Sequence, residues 1–181
     1  MKRQYSHLVT TLMFCWGVLI ACNNAENSVK TNTSIDGPMN TENQTIETNK
    51  HLVRLWILEG WNKNRNREVV DQVFAQDWVD GNPTFPDQPK GIDGAMYFVE
   101  QYRNALPDIQ FSISHLIADT DYVTFRFEAT ATHKGTLMGV PATGKKVSVT
   151  GIVIHKVENG RFVKSWNEID LLGLKMQLEQ K

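Results

Sequence analysis

The stretch Val147–Ile169, VSVTGIVIHKVENGRFVKSWNEI, decides the fold. Asn159-Gly160 sits between two strand-like runs, and that dipeptide accommodates the two positive-φ positions of a type I′ hairpin turn. Val147–Val157 and Phe162–Ile169 are therefore read as antiparallel partners. Upstream the same period of two recurs. Val123, Phe125, Phe127, Ala129 and Ala131 alternate with polar residues, and so do Ile109, Phe111, Ile113, His115 and Ile117, with Asp119-Thr120-Asp121 turning the chain between them. A Gly/Pro/Thr-rich segment, Lys134–Lys146, separates these strands from the hairpin.

Before residue 107 the period is helical. Leu52, Val53, Leu55, Trp56, Ile57 and Trp61 are packed so densely within Glu47–Asn62 that a helix buried on more than one side is expected. Val69, Val70, Val73 and Phe74 predict a short second helix over Arg67–Ala75, and Gly81-Asn82-Pro83 ends the segment after it. A third helix fits Gly91–Leu106, where Ile92, Ala95, Met96, Val99, Tyr102 and Leu106 share a face and Pro107-Asp108 stops it. Leu171–Gln180 reads as a short terminal helix. Three helices followed by four antiparallel strands make an α+β plan, a curved sheet covered by the N-terminal helices. Such a cone encloses an interior that can hold a ligand.

The N-terminal part reads differently. Lys2 and Arg3 precede a run from Leu8 to Ala21 that is apolar apart from two threonines, the shape of a secretory signal peptide and too short for a permanent membrane helix. Leu19-Ile20-Ala21-Cys22 resembles the bacterial lipobox, which implies a lipoprotein signal peptide over residues 1–22 ending at Cys22, lipidated and left as the first mature residue, and a bacterial envelope location, at the outer membrane by the Asn at position 23. An ordinary signal peptide with an incidental Cys is the alternative. Residues 23–46, rich in Asn and Thr, are read as a disordered tether, because they offer too little apolar surface to offset the cost of ordering. The domain is expected over residues 47–181.

With 19 Lys+Arg against 20 Asp+Glu there is no basic excess of the kind that grips nucleic acid, so no nucleic-acid partner is expected. The two cysteines, Cys15 and Cys22, both fall in the leader region, so the domain contains no thiol. No metal-ligand spacing and no phosphate-binding Gly-rich loop is present, so neither a metal nor another cofactor is expected.

Several segments resemble the SnoaL-like polyketide cyclase, or ester cyclase, family of the nuclear-transport-factor-like superfamily. They are Leu106-Pro107-Asp108-Ile109, Thr132-His133-Lys134-Gly135, Gly139-Val140-Pro141-Ala142-Thr143-Gly144-Lys145, the Asn159-Gly160 turn, Trp166 with Asp170, and Gln177-Leu178. The resemblance spans roughly residues 50–178. It implies a cone-shaped α+β barrel with a largely apolar pocket, often a homodimer through the sheet. It also implies a general acid/base Asp on the last strand supported by Gln and His on the preceding one. Aligned through the turn, those positions fall on Asn167, Gly151 and Val153. An amide cannot take a proton near neutral pH, so the family's cyclisation mechanism does not carry over residue for residue.

The remaining candidates for chemistry are Asp170, which matches a more widespread family Asp, and His133, which matches a family His at the start of the loop. Asp170 is better placed to cap the terminal helix, and His133 is as well placed to bond the backbone of the Lys134–Lys146 loop. Candidate ligand-binding residues are Trp166 at the pocket mouth, Asn167 and Val153 on its floor, Arg126 as a polar anchor, and Tyr102 in an aromatic wall with Trp56, Trp61, Trp78 and Phe98. Arg126 also suits a solvated ion-pair ladder with Glu128, and His115 is read as a core histidine. Two functions are expected of this plan: a cofactor-free cyclase, isomerase or hydrolase on a small hydrophobic carbonyl compound, or a non-catalytic lipoprotein holding an apolar ligand. A sheet used only for dimerisation or a protein partner is a third.

Overall fold

The computed structural model describes residues 40–180. The expected signal peptide, the expected lipidation of Cys22 and the expected tether up to residue 39 lie outside the described residues. Helix α1 (Thr41–Arg54) begins six residues before the expected boundary, capped by Asn40, whose side chain accepts from the Glu42 N–H. Its first turns are polar, as a tether would be. The buried Asn49 ties them to the sheet by donating to the Asp119 and Thr120 carbonyls at 2.8 and 3.2 Å. From Leu55 to Trp61 the helix widens to π geometry, with the Asn62 N–H reaching the Ile57 carbonyl. Widening brings residues five apart onto one side, so Trp56 and Trp61 meet edge to face, 6.3 Å between centroids.

Helix α2 (Asn66–Val73) ends earlier than expected, and Phe74–Asp80 forms an edge strand, β1, that periodicity did not reveal. The reason is visible in its packing. Its buried residues are Phe74 and Trp78, four apart as on a helix, and its register with the partner strand breaks between Phe74 and Val79. Helix α3 (Gly91–Ala105) buries Ala95, Met96, Val99 and Tyr102 as expected. Strands β2 (Gln110–Ala118), β3 (Tyr122–Thr132), β4 (Lys146–Glu158) and β5 (Arg161–Ile169) follow, then α4 (Leu171–Glu179).

The sheet order is β1-β5-β4-β3-β2, antiparallel except for the parallel β1–β5 pair. Asn159 and Gly160 have φ of 51° and 70°, the turn anticipated from the sequence. One alternation shifts phase. A bulge between Ile113 and His115 turns His115 to solvent and Leu116 inward, and leaves Ile117 64% exposed, which corrects the core reading of His115.

Three carboxamide side chains stand in for missing strand neighbours. Asn62 pairs with both backbone groups of Phe111, accepting from its N–H at 2.8 Å and donating to its carbonyl at 2.9 Å. Asn82 does the same to Asn167 at 2.7 and 2.8 Å, and Gln177 to Ser148 at 2.9 and 2.8 Å. Each satisfies a donor and an acceptor that the sheet leaves open.

The small residue at Gly151 follows from the core. A Cβ there would stand 2.6 Å from the Phe127 ring and 2.9 Å from the Glu168 carbonyl. Gly151→Ala is expected to lower stability by about 1–3 kcal/mol, the cost of overpacking, measured as a shift in urea midpoint at unchanged slope.

Candidate functional site

The cone interior is walled by π-segment, α3 and sheet. A cavity of about 70 Å³ is lined by Trp56, Trp61, Phe98, Tyr102, Phe125 and Phe127, together with Val153, His155 and Asn167. A second, of about 50 Å³, shares Trp56, Trp61, Phe98, His155 and Asn167 with it and adds Trp78, Asp80 and Ser165. Both are much smaller than the ~300–1,000 Å³ of a drug-sized ligand site, so the aromatic walls close tightly on whatever they hold.

Four polar side chains, Asn167, Asp80, His155 and Ser165, interrupt this apolar lining. Asn167 is held by the Asn82 clamp on its backbone, and its Nδ2 lies 3.4 Å from Asp80 Oδ1. Asp80, at the end of β1, also accepts from the Asn82 N–H at 3.2 Å and from Gln88 Nε2 at 2.9 Å. His155 is buried on β4, its ring stacked on Phe162 at 3.8 Å between centroids and 10° between planes. Its Nδ1 lies 2.6 Å from Ser165 Oγ, which accepts from Trp78 Nε1 at 2.8 Å. Its Nε2 is buried without a partner. Burial pushes the imidazole pKa down to about 3, so His155 is neutral at physiological pH. Burial also raises the Tyr102 phenol to about 12.

Of the residues singled out in the sequence, the structure brings Asn167, Val153 and Tyr102 together on the cavity wall, with the aromatic side chains of Trp56, Trp61, Trp78 and Phe98. It does not bring the others there. Trp166 pairs with Ile154 on the outer face of the sheet, where Lys164 Nζ sits 4.8 Å over its ring. Arg126 is exposed on that face and donates to Ser114 Oγ at 3.2 Å. Asp170 is exposed and caps α4, accepting from the Gly173 N–H at 2.8 Å. His133 is fully buried in the β3–β4 connection. There its Nδ1 takes the Thr143 N–H at 3.3 Å, while its backbone bonds Lys145 and Gly144. Both residues thus occupy the structural positions that the sequence allowed them.

Asp80 and His155 were not assigned roles at the site from sequence. For His155 the signal was available, since strict alternation from Gly151 through Val153 places it on the inner face. Asp80 could not be found from sequence, because Phe74 and Ala75 fit the second helix and the residues after them show no strand period. Among the described residues, no three His, Cys, Asp or Glu side chains are grouped to hold a metal ion.

Comparison with known proteins follows this geometry. A family model described as SnoaL-like polyketide cyclase matches residues 51–178. Comparison with curated proteins gives no match. Among solved structures the chain is similar to TsrD from Streptomyces laurentii, with 26% identity over 74% of this chain and 96% of that one, TM-score 0.67. A candidate polyketide cyclase from Acidithiobacillus ferrooxidans is 28% identical over 82% and 99%, TM-score 0.64. A SnoaL-like polyketide cyclase from Agrobacterium tumefaciens, 19% identical over 71% and 97% with TM-score 0.59, shares the fold.

The neutral state of His155 has a consequence for stability. Its folded pKa lies below the ordinary 6.5, so as pH falls from 6.5 towards 3 the unfolded chain binds a proton that the folded one refuses. Stability contributed above pH 6.5 is lost through that window, at up to ~1.4 kcal/mol per pH unit. Urea titrations over this range are expected to give a shallower pH slope, by close to one proton, for His155→Phe than for the wild type.

Proposed function

Because the chain belongs to the SnoaL-like polyketide cyclase family, we propose that it acts on a small, mainly apolar carbonyl compound held in the cone. The reaction is removal of a proton α to the carbonyl, then isomerisation or ring closure of the resulting enolate. One observation carries this reading. The position aligned with the family's acid/base Asp is Asn167, and the adjacent strand β1 brings the Asp80 carboxylate to within 3.4 Å of that amide, facing the cavity that His155 also lines. The carboxylate lost from β5 is supplied from β1.

In this reading Asp80 accepts the α-proton and returns it to the product, so that no net proton is consumed. Asn167, Asn82 and Gln88 hold the carboxylate by the bonds described above. His155 faces the carbonyl oxygen as a neutral group. The aromatic walls exclude water from the enolate and select a compact substrate. The non-catalytic alternative, capture of an apolar ligand, is favoured by the absence of the family's Gln and His at Gly151 and Val153.

We extend the proposal to the chain's setting. The Leu19-Ile20-Ala21-Cys22 run supports a lipid anchor at Cys22 in the bacterial envelope, and the outer sheet face, with exposed Tyr122, Ile152 and Ile154, is the surface available to a homodimer. Among the described residues no helix is long and apolar enough to cross a membrane.

Two experiments test these readings. With cyclopentanone and small 1,3-diketones in deuterated water, the wild type is expected to accelerate α-deuteration followed by mass spectrometry. Asp80→Asn should reduce the acceleration by ~10²–10⁴-fold with ligand affinity retained. Binding without exchange above the buffer rate would sink the catalytic reading and leave the capture reading. For the anchor, Cys22→Ser is expected to abolish incorporation of labelled fatty acid in a bacterial host and to release the protein from the membrane fraction. Unchanged labelling would overturn it.

A further inference from the structure

Among the described residues, five side chains leave a buried polar atom without a partner: Asn66, Gln88, Arg103, His133 and His155. Only His155 among them lines the two cone cavities, so its Nε2 is the orphaned polar atom of the site. What that atom can do depends on whether it carries a hydrogen.

The chain Trp78–Ser165–His155 decides this by counting donors. The indole Nε1 is a donor only, so it donates to Ser165 Oγ at 2.8 Å. Ser165 is 1% exposed, and the remaining contact of its hydroxyl is His155 Nδ1 at 2.6 Å. If Nδ1 carried the ring hydrogen, Ser165 would accept twice and its own O–H would be orphaned in the core. If Nδ1 is bare, the Ser165 O–H donates to it, and every polar atom of the chain is satisfied except the ring's far N–H. The first arrangement also leaves a bare Nε2 without a donor, so it strands two buried polar groups where the second strands one. Turning the ring over would keep its stacking on Phe162 at 3.8 Å but set Cδ2 in place of Nδ1 against Ser165, giving up the 2.6 Å bond.

We propose that Trp78 and Ser165 are positioning residues that lock His155 in its Nε2–H tautomer, making it a fixed neutral donor. The cavity thereby selects ligands that present an acceptor-only oxygen, such as a ketone, ester or enolate. The inference rests on the carbonyl reading of the site and sharpens it. His155 stabilises the negative oxygen as it develops and does not exchange protons with substrate, leaving the proton transfer to Asp80. A buried donor left unpaired penalises ligands that lack an acceptor at that point.

The test has two readouts on the full-length protein. Nitrogen NMR of labelled histidine is expected to show His155 with a protonated Nε2 and a bare Nδ1 in the wild type. Ser165→Ala should give mixed tautomers and Ser165→Thr, which keeps the hydroxyl, the wild-type pattern. A protonated Nδ1 in the wild type would overturn the lock without any ligand present. The second readout is the affinity ratio of cyclopentanone to methylenecyclopentane, a shape match without the oxygen. That ratio should fall about five- to tenfold in Ser165→Ala, the worth of one hydrogen bond, and recover in Ser165→Thr. An unchanged ratio alongside switched tautomers would overturn the selection. If neither probe binds the wild type while the tautomers behave as stated, the carbonyl reading of the cavity fails, the ligand selection falls with it, and the lock stands.

Discussion

The parallel docking of β1 on β5 is the constraint on which the rest of the site depends. Its regular pairing is lost between Phe74 and Val79, then resumes for Val79 and Asp80 against Lys164 and Ser165. That interruption lets Trp78 turn inward to Ser165 while Asp80, two residues on, reaches Asn167. Gly81 continues the association through its N–H to the Ser165 carbonyl at 2.7 Å, and Asn82 completes it with its two bonds to Asn167. One short edge strand therefore brings both a carboxylate and an indole to a cavity whose floor belongs to other strands.

Use of side-chain amides to finish the sheet is the second recurring device. Asn62, Asn82 and Gln177 lie in three separate parts of the chain, yet each forms the same two-bond pairing with one backbone residue. Two of the three partners, Phe111 and Asn167, line the cavity. The clamp is rigid because a carboxamide presents its donor and acceptor with nearly the geometry of a peptide group. Positions that would otherwise fray at strand ends are held as firmly as those in the sheet centre, and a site built on them keeps its shape.

Most of the fold was legible in the sequence, and the site only partly. The Asn159-Gly160 hairpin, the inward set on β3, and the buried face of α3 were readable because each is a local rule with one period. The face assignments of Gly151, Val153 and Asn167 held because the hairpin turn fixes register across the pair. Three features were hidden by changes of period. The bulge near Ser114 reversed the faces of the second half of β2. The π-segment merged into a long helix. The irregular β1 imitated the spacing of a helix with Phe74 and Trp78. Chemistry followed the same division. Val153, Asn167 and Tyr102 lie where alternation or helical spacing put them, whereas Asp80 depends on a pairing between segments some 85 residues apart, which no short-range pattern records.

The π-helical turn over Leu55–Trp61 has a consequence for how this cavity can change. Trp56 and Trp61 face the cone together because the backbone between them holds one residue more per turn than an α-helix would. Rewinding the segment to α geometry at its present length would set the two indoles about 140° apart around the axis, emptying one wall without altering any side chain. The cone interior can therefore change through the backbone of this segment alone, with every side chain retained. The size of what it accommodates is written in the winding of one helix.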